Sequence, residues 1–263
     1  QAMARVAAAE VLPRFRPLRS ESRKMKTGPE DLVTEADLMA ERALGADLAD
    51  ILPGAVMLGE EAVSEHPALL AQLRQGDDLF AVIDPVDGTW NFAHGVPLFG
   101  MILALVQGGR TLAGIIHYPL TGDFIEARPG GGAWHVAADG QRTRLAVAAP
   151  APLPEMAGFL VPQRMPAPDR AHLAQQALAF RATQMLRCSA WEYRAICSGA
   201  MDFLLSDGLM PWDHAAGALI HAEAGGHAAL LDGTPYHPGL TQGHLLLAPD
   251  AATWQALHAH LSA

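Results

Sequence analysis

The sequence predicts an α/β (α+β) protein in two halves, and three features of its apolar pattern predict it. Early in the chain, apolar residues recur at helical spacing. From Leu79 to about Val147 they come as short runs split by Gly-rich punctuation, which favours antiparallel hairpins. Beyond residue 150, strand-like and helix-like segments alternate, the pattern of layered helices and sheets.

The elements follow in chain order. Met3–Val11 is Ala-rich and amphipathic, and Pro13 stops it. Leu38, Leu44, Leu48 and Ile51 mark a helix from Thr34 to Ile51. Thr34 can cap it, Glu35 and Asp37 lie in its first turn, and Pro53-Gly54 ends it. Val56–Leu58 reads as a short strand. The meander then comprises Leu79–Ile83, Phe99–Val106, Leu112–His117, Asp123–Ala127, Ala133–Ala137 and Arg142–Val147. The Pro/Ala-rich run Ala149–Pro154 suggests a boundary, giving halves 1–148 and 149–263. In the second half, helices are expected at Pro168–Phe180, Trp191–Ser198, Asp213–Ala224 and Asp250–Leu261. Strands are expected at Thr183–Leu186, Asp202–Leu205 and Leu245–Ala248.

Composition narrows the function. Of 263 residues, half are apolar, so a large core can form and general disorder is excluded. No run reaches the roughly 18 apolar residues of a membrane helix. With 28 Asp+Glu against 18 Lys+Arg the net charge is −10, which disfavours a nucleic-acid surface. A small phosphorylated substrate stays compatible, provided metal cations intervene. Cys188 and Cys197 form no C-x-x-C pair, and a reduced, cytoplasmic setting is the expectation.

The chemistry concentrates in Asp84-Pro85-Val86-Asp87-Gly88-Thr89, at the end of an apolar strand. In a continuing strand Asp84 and Asp87 would face opposite sides, so they converge only if the chain turns. Convergent carboxylates need a proton or a cation between them. Hard divalent ions such as Mg2+ take oxygen ligands, and the Val86 carbonyl could join. Amides at Gly88 and Thr89 would suit a phosphate oxygen if a helix starts there. The alternative is a capped turn whose aspartates bond only to backbone. Three further acidic segments stand at 31–37, at Gly59-Glu60-Glu61 and at Trp212-Asp213. Each also has a local reading: Glu60 as a surface charge, Asp213 as a helix cap, Asp37 as half of a capping box.

Taken together and in order, these segments resemble the inositol monophosphatase family of magnesium-dependent, often lithium-sensitive phosphatases. The matching text is D-L-V-T-E-A-D at 31–37, G-E-E at 59–61, D-P-V-D-G-T-W-N-F at 84–92 and P-W-D-H-A-A-G-A-L-I-H-A-E-A-G-G at 211–226. The resemblance implies a layered αβαβα sugar-phosphatase fold, two or three Mg2+ ions and a homodimer. It implies Glu60, Asp84 and the Val86 carbonyl as ligands of one ion, and Asp84, Asp87 and Asp213 as ligands of a second. Glu60 would help hold a third. Asp37 and Thr89 would orient the attacking water, the Gly88 and Thr89 amides would contact phosphate, and Lys26 would lie near the third ion.

The substrate side departs from the family pattern. Where inositol-specific members carry an acid, this chain has Ser206, with Asp207 beside it. The usual small G-S/T-A-A stretch corresponds to Cys188-Ser189-Ala190-Trp191, followed by Glu192, Tyr193 and Arg194. Trp191 can be helix packing with solvated Glu192 and Arg194, or the pocket is reshaped with Glu192 and Asp207 meeting substrate. Trp90 replaces a smaller or polar residue. The expected activity is Mg2+-dependent hydrolysis of a small polyol or sugar phosphate of the inositol-1-phosphate type. Alternatives are histidinol phosphate, fructose-1,6-bisphosphate or a 3′-phosphoadenosine nucleotide, or an RNA or transcription-complex role on the same fold. Twelve histidines give no H-E-x-x-H, so zinc catalysis is not expected.

Overall fold

The computed structural model describes residues 1–15, 23–28, 31–206 and 208–262. The chain opens with α1 (Ala2–Val6), which widens into a π turn at Ala7–Val11 and tightens into a 3₁₀ turn at Leu12–Arg14. Pro13 falls in that last turn, where its missing N–H ends the helical ladder. A hairpin of β1 (Arg23–Gly28) and β2 (Asp31–Thr34) leads into α2 (Glu35–Ile51). Next come β3 (Val56–Gly59), α3 (Glu60–Glu65), α4 (Ala68–Gln75), β4 (Phe80–Asp87) and α5 (Thr89–Ala93). The meander follows: β5 (Gly100–Gln107), β6 (Arg110–Tyr118), β7 (Asp123–Ala127), β8 (Ala133–Val136) and β9 (Arg142–Arg144). The remaining elements are β10 (Ala157–Phe159), α6 (Ala167–Gln176), β11 (Ala182–Gln184), α7 (Ser189–Cys197), β12 (Phe203–Leu205), α8 (Pro211–Glu223), β13 (His227–Leu230), β14 (Leu245–Ala248) and α9 (Ala251–Leu261).

Strands β3 to β9 form a seven-stranded sheet in sequence order, antiparallel except for the parallel β3–β4 pair. A mixed five-stranded sheet runs β11-β10-β12-β14-β13. Strand alternation sorts side chains into layers. On β4, Ala81 and Ile83 join Ala36, Ala40, Leu44 and Leu48 of α2 on one face. Phe80 and Val82 face the other way, into a cluster with Tyr193 and Ile196 of α7 and Ala215 and Ile220 of α8. Leu204, Leu245 and Leu247 close that cluster from the small sheet. Its opposite face, with Leu205 and Leu246, is covered by Leu173 of α6 and by Trp254 and Leu257 of α9. The result is the αβαβα layering the family resemblance implies: α1/α2, large sheet, α7/α8, small sheet, α6/α9. Among the described residues no helix is long and apolar enough to cross a membrane.

The ladder corrects one expectation. The chain does not leave the sheet at Asp84; β4 continues to Asp87 through a bulge. Asp84 lies opposite Ile102 and Asp87 opposite Gly100, so three steps on β4 match two on β5. The extra residue breaks the alternation and turns both carboxylates to one side.

Candidate active site

The site forms where the C-terminal end of β4 meets the start of α8 and the start of α7. The bulge brings Asp84 and Asp87 together, and both are buried. Gly88 then adopts φ +88°, and a Cβ there would meet the Leu98 carbonyl at 2.9 Å, so only glycine fits between β4 and α5. Asp213 arrives from the first turn of α8, behind Pro211 and the buried Trp212. One carboxylate oxygen from each of Asp84, Asp87 and Asp213 lies within 4.8 Å of the other two.

Burial and like charges act together on this centre. Asp84 is pushed well above the carboxylate range by burial first, then by the charges of Glu60, Asp87, Asp213 and Asp37. Burial raises Asp87 to about 6 against the pull of Cys188, Ala190 and Ser189. Burial likewise raises Asp37 to about 6, against hydrogen bonds from Thr34 and with a further push from Glu60. Three converging hard oxygen donors suit a divalent ion such as Mg2+. Glu60 acts on this field but lies outside the compact three-carboxylate set. It opens α3, whose first amides, at Glu61 and Ala62, donate to Glu41 of α2 at 3.0 and 2.8 Å. A side chain at Gly59 would collide with that Glu41 carboxylate.

Asp37 closes the capping box and also faces Thr89. Its Oδ2 accepts from the Thr34 amide at 2.8 Å and the Thr34 hydroxyl at 2.5 Å, closing a capping box on α2. Its Oδ1 faces the Thr89 hydroxyl at 3.2 Å. That hydroxyl is also 3.1 Å from the Val86 carbonyl, so its single proton has two acceptors.

Asp87 is held by a contact no local pattern signals. Its carboxylate accepts from the Cys188 thiol at 2.9 Å, the Ser189 amide at 3.1 Å and the Ala190 amide at 2.5 Å. It thus satisfies the first donors of α7 from a strand a hundred residues earlier. Burial and the adjacent Asp87 push the Cys188 thiol well up.

Beside the carboxylates lies a cleft of about 170 Å³, lined among others by Arg164, Arg187, Glu192 and Ser206 together with Asp87 and Asp213. Glu192 lines this cleft, and its Oε1 accepts from the Leu186 amide at 2.9 Å. Ser206 is buried, and its hydroxyl accepts from the Leu245 amide at 2.7 Å, which ties β12 to β14. Asp207 and the Lys26 side chain lie outside the described residues. Trp191 packs, its ring N–H donating to the Phe99 carbonyl at 3.1 Å. Arg194 is not solvated as expected: it pairs with Asp123 at 2.6 Å, because α7 lays it over β6 and β7. The sequence reading did not single out the cleft-lining Arg164 and Arg187; the departure at Trp90 bears only on Arg187, whose guanidinium lies 4.0 Å from its ring. No histidine joins the acidic centre among the described residues. His214 bridges the Tyr193 hydroxyl and the Gly208 carbonyl, and burial lowers His221 to about 3.

Comparison with known proteins agrees with this geometry. The model of the inositol monophosphatase family matches residues 1–263. The fructose-1,6-bisphosphatase/inositol-1-monophosphatase of Thermotoga maritima is 32% identical over 201 residues, 76% of this chain and 72% of that protein. A Nus factor SuhB of Pseudomonas aeruginosa is 32% identical over 225 residues, 82% of this chain and 78% of that protein. The solved structure of an IMPase from Thermotoga maritima superposes with a TM-score of 0.80 at 26% identity, covering 98% of this chain and 93% of that one. A full-length family match, relatives at this identity and the acidic centre converge on one conclusion: the chain belongs to the inositol monophosphatase family.

Proposed function

We propose that this protein hydrolyses a phosphate monoester of a small polyol or sugar, of the inositol-1-phosphate type, with Mg2+ bound at the carboxylate centre. The observation that carries the reading is the approach of Asp84, Asp87 and Asp213 to within 4.8 Å, beside Thr89 and Asp37. A phosphomonoester brings about two negative charges at neutral pH, which bare carboxylates would repel. Glu60, Asp84 and the Val86 carbonyl would hold one ion, and Asp84, Asp87 and Asp213 a second; Glu60 would share in a third. When bound, the ions neutralise the phosphoryl oxygens and supply a water of lowered pKa.

The chain's own groups do the rest. Were the Val86 carbonyl to hold an ion, the Thr89 hydroxyl would donate to Asp37 and its oxygen would accept from the attacking water. Asp37, raised to about 6, is still a carboxylate at pH 7 and can take that role. The Gly88 and Thr89 amides contact the phosphate. Glu192 and Asp207 face the organic part. Attack is in line and direct, with no phosphoenzyme. In this reading residues 1–148 carry most of the ligands and 149–263 complete the site, in a cytoplasmic homodimer sensitive to lithium.

Phosphate release with Mg2+ from inositol-1-phosphate, histidinol phosphate, fructose-1,6-bisphosphate and a 3′-phosphoadenosine nucleotide tests the proposal. Release from at least one, abolished by EDTA, is expected; negligible release from all four overturns it. A second reading, action in a transcription complex, is favoured only by the name of the Pseudomonas relative. The net charge of −10 opposes it, and RNA retention in a gel shift at moderate salt would revive it.

A further inference from the structure

Helix α2 sends two carboxylates towards the site, and the proposed hydrolysis uses only one of them. Asp37 and Glu41 stand four residues apart, neighbours on one face of α2. Asp37 reaches Thr89. Glu41 reaches the first turn of α3 instead. Its Oε2 accepts from the Glu61 amide at 3.0 Å and its Oε1 from the Ala62 amide at 2.8 Å.

Three features make α3 depend on that contact. The helix has six residues, too few to be stable without outside support. Its N-cap, Gly59, has no side-chain oxygen for the orphan amides of the first turn, so Glu41 supplies the acceptors from another element. Gly59 also makes room for it. Its φ is −103°, which any residue adopts, but a Cβ there would collide with the Glu41 carboxylate. The glycine is therefore there for space and not for backbone freedom.

The first residue of α3 is Glu60. Strand β3 runs parallel to β4 with Gly59 paired to Ile83, so Glu60 leaves the sheet level with Asp84. The Glu60 charge acts on Asp84, Asp87 and Asp37 alike. A shift of α3 would thus move a carboxylate that faces the whole acidic centre.

We propose that Glu41 is a positioning residue: by clamping the first turn of α3 it fixes Glu60 beside Asp84, and so sets the affinity for the divalent cations that Glu60 would share. This rests on the reading of Glu60 as a metal ligand given above. One face of α2 then serves the site twice, through Asp37 towards the water and through Glu41 towards a ligand.

Calorimetry of Mg2+ binding to the full chain, without substrate, tests it. Glu41→Gln keeps one acceptor and turns an N–H donor towards an amide donor. It should weaken at least one Mg2+ binding event by about 10- to 100-fold. The Mg2+ concentration for half-maximal phosphate release should rise by a similar factor, with kcat at saturating Mg2+ within about threefold. Hydrogen exchange at the Glu61 and Ala62 amides of the metal-free protein should quicken. A purely structural clamp would lower the melting temperature and leave Mg2+ affinity unchanged, and that result overturns the proposal. Gly59→Ala and Glu41→Asp separate position from charge, since both keep the carboxylate. The first pushes it off the amides and the second falls one methylene short. Each should weaken Mg2+ binding as well; if both bind like the unmodified protein, charge alone is at work and the proposal falls. Glu65→Gln, the same loss of charge at the exposed end of α3, should leave binding unchanged. An equal weakening there would also reduce the effect to charge. An unmodified protein that binds no Mg2+ overturns the metal reading and this proposal with it. One that binds Mg2+ equally well with and without Glu41 overturns this proposal alone.

Discussion

Two groups of buried acids sit on the large sheet, and opposite electrostatics govern them. At the end of β4, Asp84 and Asp87 meet Asp213, and burial and like charges push both sheet acids up. At the start of β7, burial pushes Asp123 up as well, but hydrogen bonds from Arg194, Thr121 and His135 outweigh it and hold it below the usual range. Arg194 and His135 both lie 2.6 Å from its Oδ2. The guanidinium is itself anchored over the rings of Tyr118 and Trp191, at 4.4 and 5.2 Å. Burial acts alike on both groups; the partners decide the sign. Where the fold supplies the counter-charge, the acid holds structure. Where the carboxylates instead meet one another, a bound cation would supply the counter-charge, at a cost to the stability of the empty site.

The sharpest way to break this contrast is to neutralise one acid in each group. Asp84 accepts a single backbone hydrogen bond, from Val86 at 3.1 Å, which an asparagine oxygen can keep. Asp84→Asn should lower kcat/KM by about 10³-fold or more, since the residue is a proposed ligand of two ions. The metal-free variant should melt no lower than the unmodified protein, because a repelled charge is gone. Activity within tenfold, or a clear fall in melting temperature, would undo the reading of this centre. Asp123→Asn should do the reverse. Losing a charged partner of Arg194 should cost about 2 kcal/mol, or roughly 4–8 °C in Tm, with turnover per folded molecule within twofold. Unchanged stability with lost turnover would mean the two groups had been assigned the wrong way round.

The same contrast marks what was legible in the sequence. Features set by neighbours along the chain could be read directly. Thr34 with Asp37 gave the start of α2, and Gly225-Gly226 gave the end of α8, which starts at Pro211, two residues before the expected Asp213. The acidic segments pointed to the centre because their motif order is specific. Features set by a partner strand or helix could not be read. The bulge that turns Asp87 towards Asp84 exists only against β5, so alternation alone argued for a turn. The thiol of Cys188 reaches Asp87 across 101 positions, and Arg194 reaches Asp123 across 71. Arg194 looked solvated because its helix face is polar, while its partner lies on another element. The strands β10 to β12 are three residues each, too short for a period to show.

The smallest effect is also the one in which the two groups oppose each other within a single curve: the melting temperature of the metal-free protein against pH. Asp37 and Asp87, raised to about 6, keep protons between pH 4 and 6 that the unfolded chain has released. In that window the native state binds more protons, so stability falls as pH rises through it. Asp123, held below its unfolded value, contributes stability present above about pH 4 and lost as pH falls through its native pKa. The curve should therefore have its maximum on the acid side and decline by a few degrees towards pH 7. Asp84→Asn should flatten the decline, since one of the mutually repelling charges is removed. Asp123→Asn should remove the loss on the acid side and leave the decline intact. Adding Mg2+ at pH 7 should lift the melting temperature in the unmodified protein more than in Asp84→Asn, by mass action on the folded state. A metal-free melting temperature that rises from pH 5 to 7 would mean the centre near β4 already holds its counter-charge, and the contrast with Asp123 would collapse.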